Sequence, residues 1–99
     1  MQIKEKTHPT KKEFLYALKF TEEDVIKTRQ EQELRMHSLN KALYLGNALK
    51  NKVRIYFRDS LDRIIYLDTT IWGVTKEDII LKKGVTLPIK SILEIDYSI

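Results

Sequence analysis

The sequence predicts a small α+β domain, in which an N-terminal helical segment is followed by a strongly bent antiparallel sheet or barrel of four to five short strands. Residues 52–95 are rich in β-branched and aromatic residues, and turn-like breaks interrupt them at 59–62, 73–78 and 83–84. Residues 34–49 instead repeat apolar side chains with a helical period. A length of 99 residues is typical of one domain, so we assign residues 1–99 to a single unit.

The first twenty residues divide into two segments. Residues 1–13 are polar and lysine-rich, and they predict a flexible tail. Residues 14–20 form either a short strand or a short helix. Large apolar side chains at every second position from Phe14 to Phe20 favour a strand that adds to an edge of the sheet. A capping-box pattern at Thr10–Glu13 would instead begin a helix.

Residues 21–51 are predicted to be helical. Thr21 has the side chain of an N-cap, and Asp24 stands three residues later as the second member of a capping box. We therefore expect the helix to begin at Thr21. Residues 27–33 contain no aliphatic side chain, so either one long helix spans 22–50 or two shorter helices meet near residues 37–38.

The second half of this helical segment carries its apolar face. Four residues fall on one side at helical spacing: Leu39, Ala42, Leu43 and Gly46. A glycine on that side either lets a strand or a second helix approach closely or ends the helix. The leucine-rich half also offers residues for contact with another chain, and this predicted oligomer interface consists of Leu34, Met36, Leu39 and Leu43.

The predicted β region begins with two strands joined by a hairpin loop. Residues 52–58 alternate, so that Val53, Ile55 and Phe57 face one side of the strand. Residues 59–62 form the loop, in which the two aspartates are turn formers. Residues 63–72 have apolar side chains on both faces, which indicates a strand that is buried on both sides or bulged so that it switches faces.

The remaining strands are shorter. Residues 79–83 form the third strand, Gly84 makes a tight reversal into residues 85–89, and residues 91–97 form the last strand. Pro88 cannot donate to a ladder and is expected at an edge or a strand end. Trp72 is the only tryptophan, and because its ring can bury about 200 Å² we expect it to anchor the core against the helix.

Three motifs resemble a family of short uncharacterised bacterial proteins: Leu45-Gly46-Asn47, Thr69-Thr-Ile-Trp-Gly-Val-Thr75 and Leu81-Lys-Lys-Gly-Val-Thr-Leu-Pro-Ile89. This resemblance covers residues 34–95 and implies no activity. The strand order, with the terminal segment 87–95, is also similar to Sm-like small β-barrels, which include bacterial RNA chaperones. Those chaperones carry a Lys-His pair before the last strand, whereas here Lys90 stands there without a histidine. Their RNA site is therefore not carried over.

The composition argues against an enzyme. The chain has no cysteine, which excludes disulfides, thiolate metal sites and cysteine nucleophiles. His8 and His37 lie in polar stretches, and no phosphate loop, metal-ligand spacing or nucleophile motif is present. We expect no cofactor, no metal and no small-molecule substrate. No segment is apolar enough to span a membrane, and the first eight residues lack the apolar core of a secretory signal, so we expect a cytoplasmic protein.

Charge placement gives the best functional signal. The net charge is +4, and the segment 34–58 has several basic residues and no acid. Four side chains share the outer side of the first strand, and Lys50 precedes them: Lys52, Arg54, Tyr56 and Arg58. Cations for phosphates and a ring for a base predict a non-enzymatic module that binds single-stranded nucleic acid. The alternative is a protein-interaction module, and in either case we expect a homo-oligomer.

Overall fold

The structure, a computed structural model, describes residues 7–99. Its α-helix and strands are α1 (Arg29–Leu49), β1 (Thr7–Pro9), β2 (Val53–Arg58), β3 (Ile64–Thr69), β4 (Ile71–Val74), β5 (Asp78–Leu81), β6 (Thr86–Pro88) and β7 (Ile92–Asp96). Three short 3₁₀ helices lie between them, at Lys12–Ala17, Lys82–Gly84 and Ile89–Ser91. One helix followed by short strands confirms the predicted α+β class.

The strands form two sheets. One sheet has four strands in the order β1-β3-β2-β7, and the other has three in the order β4-β5-β6. Neighbouring strands are antiparallel, except that β1 runs parallel to β3. Within residues 7–99 no strand pairing joins the two sheets, so they form a bent pair of sheets and not a closed barrel.

The chain crosses from one sheet to the other between β3 and β4. Thr70 alone separates the two strands. Leu67 on β3 is buried in the core, and so is Ile71 on β4. The predicted long strand 63–72 is therefore two strands in different sheets. Of the two alternatives for its apolar residues, a switch of faces agrees with this change of sheets, and the register of β4 on β5 shifts between Ile71 and Gly73.

The helix α1 covers the core with one face. Its buried residues are spaced by four, three and four positions: Arg35, Leu39, Ala42 and Gly46. This period keeps them on the same side of an α-helix. The helix packs against β4 of the three-stranded sheet and β7 of the four-stranded sheet, so it closes one side of the core that both sheets share. Within residues 7–99, α1 continues unbroken through residues 37–38, so the alternative of two helices that meet there is wrong.

The prediction that Trp72 anchors the core is wrong. Its side chain is 48% exposed, whereas the neighbouring Ile71 is fully buried. Successive residues of a strand point to opposite sides, so an inward Ile71 turns Trp72 outward. Phe57 on β2 is the largest fully buried side chain, and the ring of Phe20 packs on it with the centroids 6.0 Å apart.

The predicted start of the helix is also wrong. The N-cap is Thr28 and not Thr21, and the Thr28 hydroxyl accepts a hydrogen bond of 3.2 Å from the backbone N–H of Glu31. Asp24, predicted as part of a capping box, accepts hydrogen bonds of 2.8 and 2.6 Å from the guanidinium of Arg35. Residues 21–28 therefore form a loop, and the carboxylate of Asp24 in this loop binds Arg35 of the helix.

The N-terminal segment differs from the predicted tail. Residues 1–6 of that tail lie outside the described range. Thr7–Pro9 forms β1, and the backbone N–H of Thr10 donates to the carbonyl of Tyr66 at 2.9 Å, so the tail prediction is wrong for this stretch. The predicted extra edge strand exists here and not at 14–20, where the 3₁₀ helix Lys12–Ala17 buries Leu15.

The loop between β2 and β3 is built on its first aspartate, as predicted. The carboxylate of Asp59 accepts hydrogen bonds from the backbone N–H groups of Leu61 and Arg63, at 3.1 and 2.9 Å. The guanidinium of Arg63 donates to the same carboxylate. Asp62 takes a left-handed backbone conformation with φ of 64°, which aspartate tolerates better than most residues.

Candidate functional site

The face of β2 that was predicted to bind nucleic acid exists in the expected register. Val53, Ile55 and Phe57 are buried, and the intervening side chains project to the other side. Lys52 precedes the strand and is exposed. Each basic side chain on β2 itself, however, has an acidic neighbour.

Two arginines of this face are neutralised by aspartates. The guanidinium of Arg54 donates to both carboxylate oxygens of Asp68, at 2.7 and 3.0 Å. This hydrogen bonding raises the pKa of Arg54 further above its ordinary value. Arg58 donates to the carboxylate of Asp62 at 2.8 Å. A phosphate would have to compete with these carboxylates, so the pairing weakens the case for an anion site on β2.

The aromatic member of this face is not accessible. Tyr56 is only 2% exposed, and its ring packs on the ring of Tyr66 with the centroids 5.7 Å apart. The guanidinium of Arg54 lies over the other ring, 4.5 Å from the centroid of Tyr66. A nucleic-acid base therefore has no free surface of Tyr56 on which to stack.

Only two of the four residues of the predicted oligomer interface are accessible to another chain. Leu39 is fully buried in the core of its own chain, and Leu43 packs against that core. Leu34 is 62% exposed and Met36 is 36% exposed. The sequence period marked all four as apolar helical residues, but it could not separate the side chains that cover the sheets from those that face outward.

A different surface brings an accessible ring together with free cations. A cleft of about 440 Å³ lies between the C-terminal end of α1, the start of β4 and the 3₁₀ turn after β5. We call it the Trp72 cleft, and its lining residues are Gly46, Asn47, Lys50, Thr70, Trp72 and Lys82. No carboxylate belongs to this set. The half-exposed indole therefore stands beside two ammonium groups.

The walls of the Trp72 cleft are fixed by backbone contacts. Gly46 lies directly against the carbonyl oxygen of Ile71, and only a glycine permits this approach. Across the cleft, the backbone N–H of Lys82 donates to the carbonyl of Thr70 at 3.0 Å. The side-chain nitrogen of Asn47 lies 3.4 Å from the carbonyl oxygen of Trp72. Helix, strand and turn are thus held together around the opening.

Lys50 enters the cleft because of the way in which α1 ends. It takes the left-handed conformation, with φ of 56°, and its N–H donates back to the carbonyl of Gly46 at 3.1 Å. This is a C-cap conformation that usually favours glycine or asparagine. Within residues 7–99, no ion pair involves Lys50 or Lys82. Both ammonium groups are therefore available to an anion, unlike Arg54 and Arg58.

Sequence reasoning found only part of this cleft. Lys50 was among the predicted site residues, whereas Trp72 was assigned to the core and Lys82 to the third strand. The neighbouring Ile71 could have predicted that Trp72 is exposed. Two adjacent residues of a strand point to opposite sides, so Trp72 faces outward if Ile71 enters the core. Gly46 was expected either to allow a close approach or to end the helix, and the structure has the close approach, to a strand.

Two other kinds of site have no counterpart in the described structure. Among residues 7–99, no three His, Asp or Glu side chains lie close enough together to hold a metal ion. The same part of the chain contains no helix with the length and hydropathy needed to cross a bilayer.

Similarity does not assign a function to this cleft. The chain matches no protein-family model, no curated protein and no solved structure. The resemblances to short bacterial proteins and to Sm-like barrels therefore stay predictions. A functional proposal depends on the geometry of the described residues.

Proposed function

We propose that this protein is a non-catalytic cytoplasmic module that binds single-stranded nucleic acid at the Trp72 cleft. One observation carries the proposal. The half-exposed ring of Trp72 lines the same cleft as Lys50 and Lys82, which have no acidic partner within residues 7–99.

The chemistry of the two side-chain types supports this ligand. Stacking of a base on an aromatic ring contributes about 1–3 kcal/mol and tolerates any base, because every base has a π-face. Lysines bind phosphates mainly by releasing counterions from the strand. A base within a duplex is already stacked, so an exposed indole favours single strands. The net charge of +4 adds a general attraction to polyanions.

The exposed side of Trp72 bears on the kind of partner. Its indole presents a flat ring on which a planar ring of a ligand can stack. A protein partner would be expected to bring apolar side chains to Trp72. The two lysines, with no carboxylate in the cleft lining, instead favour an anionic partner that has flat rings.

The test uses the single tryptophan of the chain as a probe. Titration with single-stranded oligonucleotides of thymidine or uridine should quench the fluorescence of Trp72. Two lysine contacts predict a log–log salt slope of about −1.4 on single strands, which is a roughly five-fold loss of affinity from about 50 to 150 mM salt. Lys50→Gln and Lys82→Gln should each reduce this slope by about 0.7. A matched duplex should bind more weakly, and equal binding would contradict the proposal.

The second candidate function is a protein-interaction or homo-oligomer module. It is favoured by the exposed Leu34, which lines a groove with Ile26, Leu93 and Ile95. The groove runs beside β7, which is an edge strand among the strands of residues 7–99, and edge strands can pair with another chain. Light scattering that shows a dimer, together with its loss in Leu34→Lys, would favour this function over nucleic-acid binding if no strand quenches Trp72.

A further inference from the structure

We propose that the Trp72 cleft is a single-nucleotide site, in which one base stacks on Trp72 while Lys50 and Lys82 hold the attached phosphate. This inference depends on the proposed function, because it specifies the unit of the strand that the cleft binds. It also extends that function, since a site of this kind takes free nucleoside phosphates as well as nucleotides within a strand.

The number of groups in the cleft limits the ligand to one base. Trp72 is the only aromatic side chain among its lining residues, so only one base can stack there. Two ammonium groups match one phosphate or two adjacent ones. The volume of about 440 Å³ lies in the range of about 300–1,000 Å³ that encloses small-molecule ligands. A longer strand would have to leave the cleft on both sides.

The cleft is built before a ligand arrives. Gly46, which lines the cleft, packs against the carbonyl of Ile71 and so holds the helix close to the strand. The Lys82–Thr70 hydrogen bond of 3.0 Å fixes the turn that carries the second lysine. A preformed site loses less conformational entropy on binding than a flexible one. A single nucleotide, which offers few contacts, can therefore bind with measurable affinity.

The other large clefts of the described residues do not combine these features. The cleft that Arg54 and Tyr66 line also contains the carboxylates of Asp68 and Glu13. The cleft beside the β2–β3 loop contains five carboxylates among its lining residues: Glu22, Glu23, Asp24, Asp59 and Asp62. An anionic nucleotide would be repelled there. Charge therefore directs a nucleotide to the Trp72 cleft.

The experiment compares four ligands at constant ionic strength by quenching of Trp72 in the full chain. The ligands are a nucleoside, its 5′-monophosphate, inorganic phosphate, and an octamer of the same nucleotide. The monophosphate should quench in a saturable way and bind at least about five-fold more tightly than the nucleoside. It should also displace the octamer competitively. Inorganic phosphate should compete without quenching, since it has no ring. N-acetyltryptophanamide corrects for absorption by the bases.

Variants separate the roles of ring and charge. Lys50→Gln and Lys82→Gln should bring the affinity for the monophosphate down to that for the nucleoside, whereas Lys52→Gln, outside the cleft, should leave it unchanged. In Trp72→Ala, followed by calorimetry, binding of the monophosphate should be lost. Circular dichroism of each variant verifies that the chain is folded.

Each result decides between the two proposals. If the octamer quenches Trp72 but the monophosphate at saturating concentration neither quenches nor competes, the single-nucleotide site is wrong and strand binding stands. If neither ligand quenches, both proposals are wrong. Affinity that rises steeply with strand length identifies strands as the natural ligand, whereas equal affinity for monophosphate and octamer identifies free nucleotides; both support the single-nucleotide site.

Discussion

Gly46 of α1 lies so close to the carbonyl oxygen of Ile71 in β4 that a Cβ atom at position 46 would overlap it. The same Cβ would be 3.0 Å from the Cγ2 atom of Thr70, at the point where the chain changes sheets. Position 46 thus joins the helix to the strand that carries Trp72. Gly46 also lines the Trp72 cleft, so packing and the candidate site share this glycine.

Gly46→Ala should destabilise the fold by about 1–3 kcal/mol, as overpacking does, because a backbone atom cannot move aside as a side chain can. Urea unfolding followed by circular dichroism measures this loss. Gly73→Ala is the matched control: the nearest atom to its new Cβ is the terminal Cδ1 of Ile80, at 3.2 Å, so its effect should be smaller. A Gly46→Ala variant as stable as the parent would show that α1 does not sit against β4 in this way.

The ion pair of Arg35 and Asp24 should be the most important one for stability. The Arg35 side chain is 5% exposed and also donates to the carbonyl of Ile92 at 3.0 Å. Asp24→Asn leaves this buried guanidinium without its anion and should cost about 3–5 kcal/mol. Arg35→Met should lower the free energy of unfolding by less, because the carboxylate of Asp24 that it leaves unpaired is closer to solvent. Combining the two changes should recover part of the loss, which urea unfolding of all three variants can measure.

The exposed pair of Arg29 and Glu33 is the control for this cycle. Its atoms are 3.5 Å apart and both side chains are largely exposed. Glu33→Gln should therefore change the free energy of unfolding by only about 0.3–0.5 kcal/mol. Equal effects of Asp24→Asn and Glu33→Gln would contradict a structural role for the buried pair.

Stability should fall at acid pH because two carboxyl groups have lowered pKa values. Burial alone would raise the pKa of Asp24 and Asp59, but hydrogen bonds from Arg35 and Arg63 and from backbone N–H groups outweigh it, so both lie below the ordinary value of 3.8. Each group therefore contributes stability that is present above the unfolded value and lost as the pH falls through the lower folded value. The urea midpoint should decline below about pH 4.

Asp59→Asn tests the assignment of this acid sensitivity. The variant should lose stability at neutral pH, where the parent carboxylate is ionised, and should show a weaker decline between about pH 4 and pH 2. Glu33→Gln, which removes a carboxylate from an exposed ion pair, gives the decline expected for a variant that keeps both groups. An identical decline in Asp59→Asn and the parent would assign the acid sensitivity to other groups.

The arginines of β2 should contribute little to nucleic-acid binding. Arg54 and Arg58 are already paired with Asp68 and Asp62, so they release few counterions. The double variant Arg54→Gln, Arg58→Gln should keep both the affinity for single strands and the salt slope. Fluorescence titration at several salt concentrations measures both quantities. A flattened slope in this variant would return the site to the originally predicted face of β2.

The sequence could predict the elements whose signals are local. The alternation in β2, the aspartate-based loop at Asp59 and the close approach at Gly46 all follow from residue type and spacing. The change of sheets after Thr69 was visible as a strand with apolar residues on both faces. Each of these features depends on neighbours in the chain, and each is found in the structure.

The features that could not be predicted from the sequence depend on contacts between different elements of the fold. Thr21 and Thr28 are both good caps, and the choice between them follows from the partner of Asp24, which is Arg35 on the helix. Arg54 lies opposite Asp68 in the hairpin register. Its charge is therefore neutralised by a residue on the neighbouring strand. The outward position of Trp72 depends on which of two adjacent residues enters the core. The candidate site is formed by such contacts.

The most direct test of nucleic-acid binding at the Trp72 cleft is the tryptophan fluorescence of the full chain. The free protein should emit at the long wavelengths of a solvent-exposed indole, because 48% of Trp72 is exposed. Adding a single-stranded octamer should quench this emission and shift it to shorter wavelengths, and the effect should weaken with salt and with Lys50→Gln. Emission that stays constant while calorimetry shows the octamer binding would place the nucleic acid elsewhere on the protein.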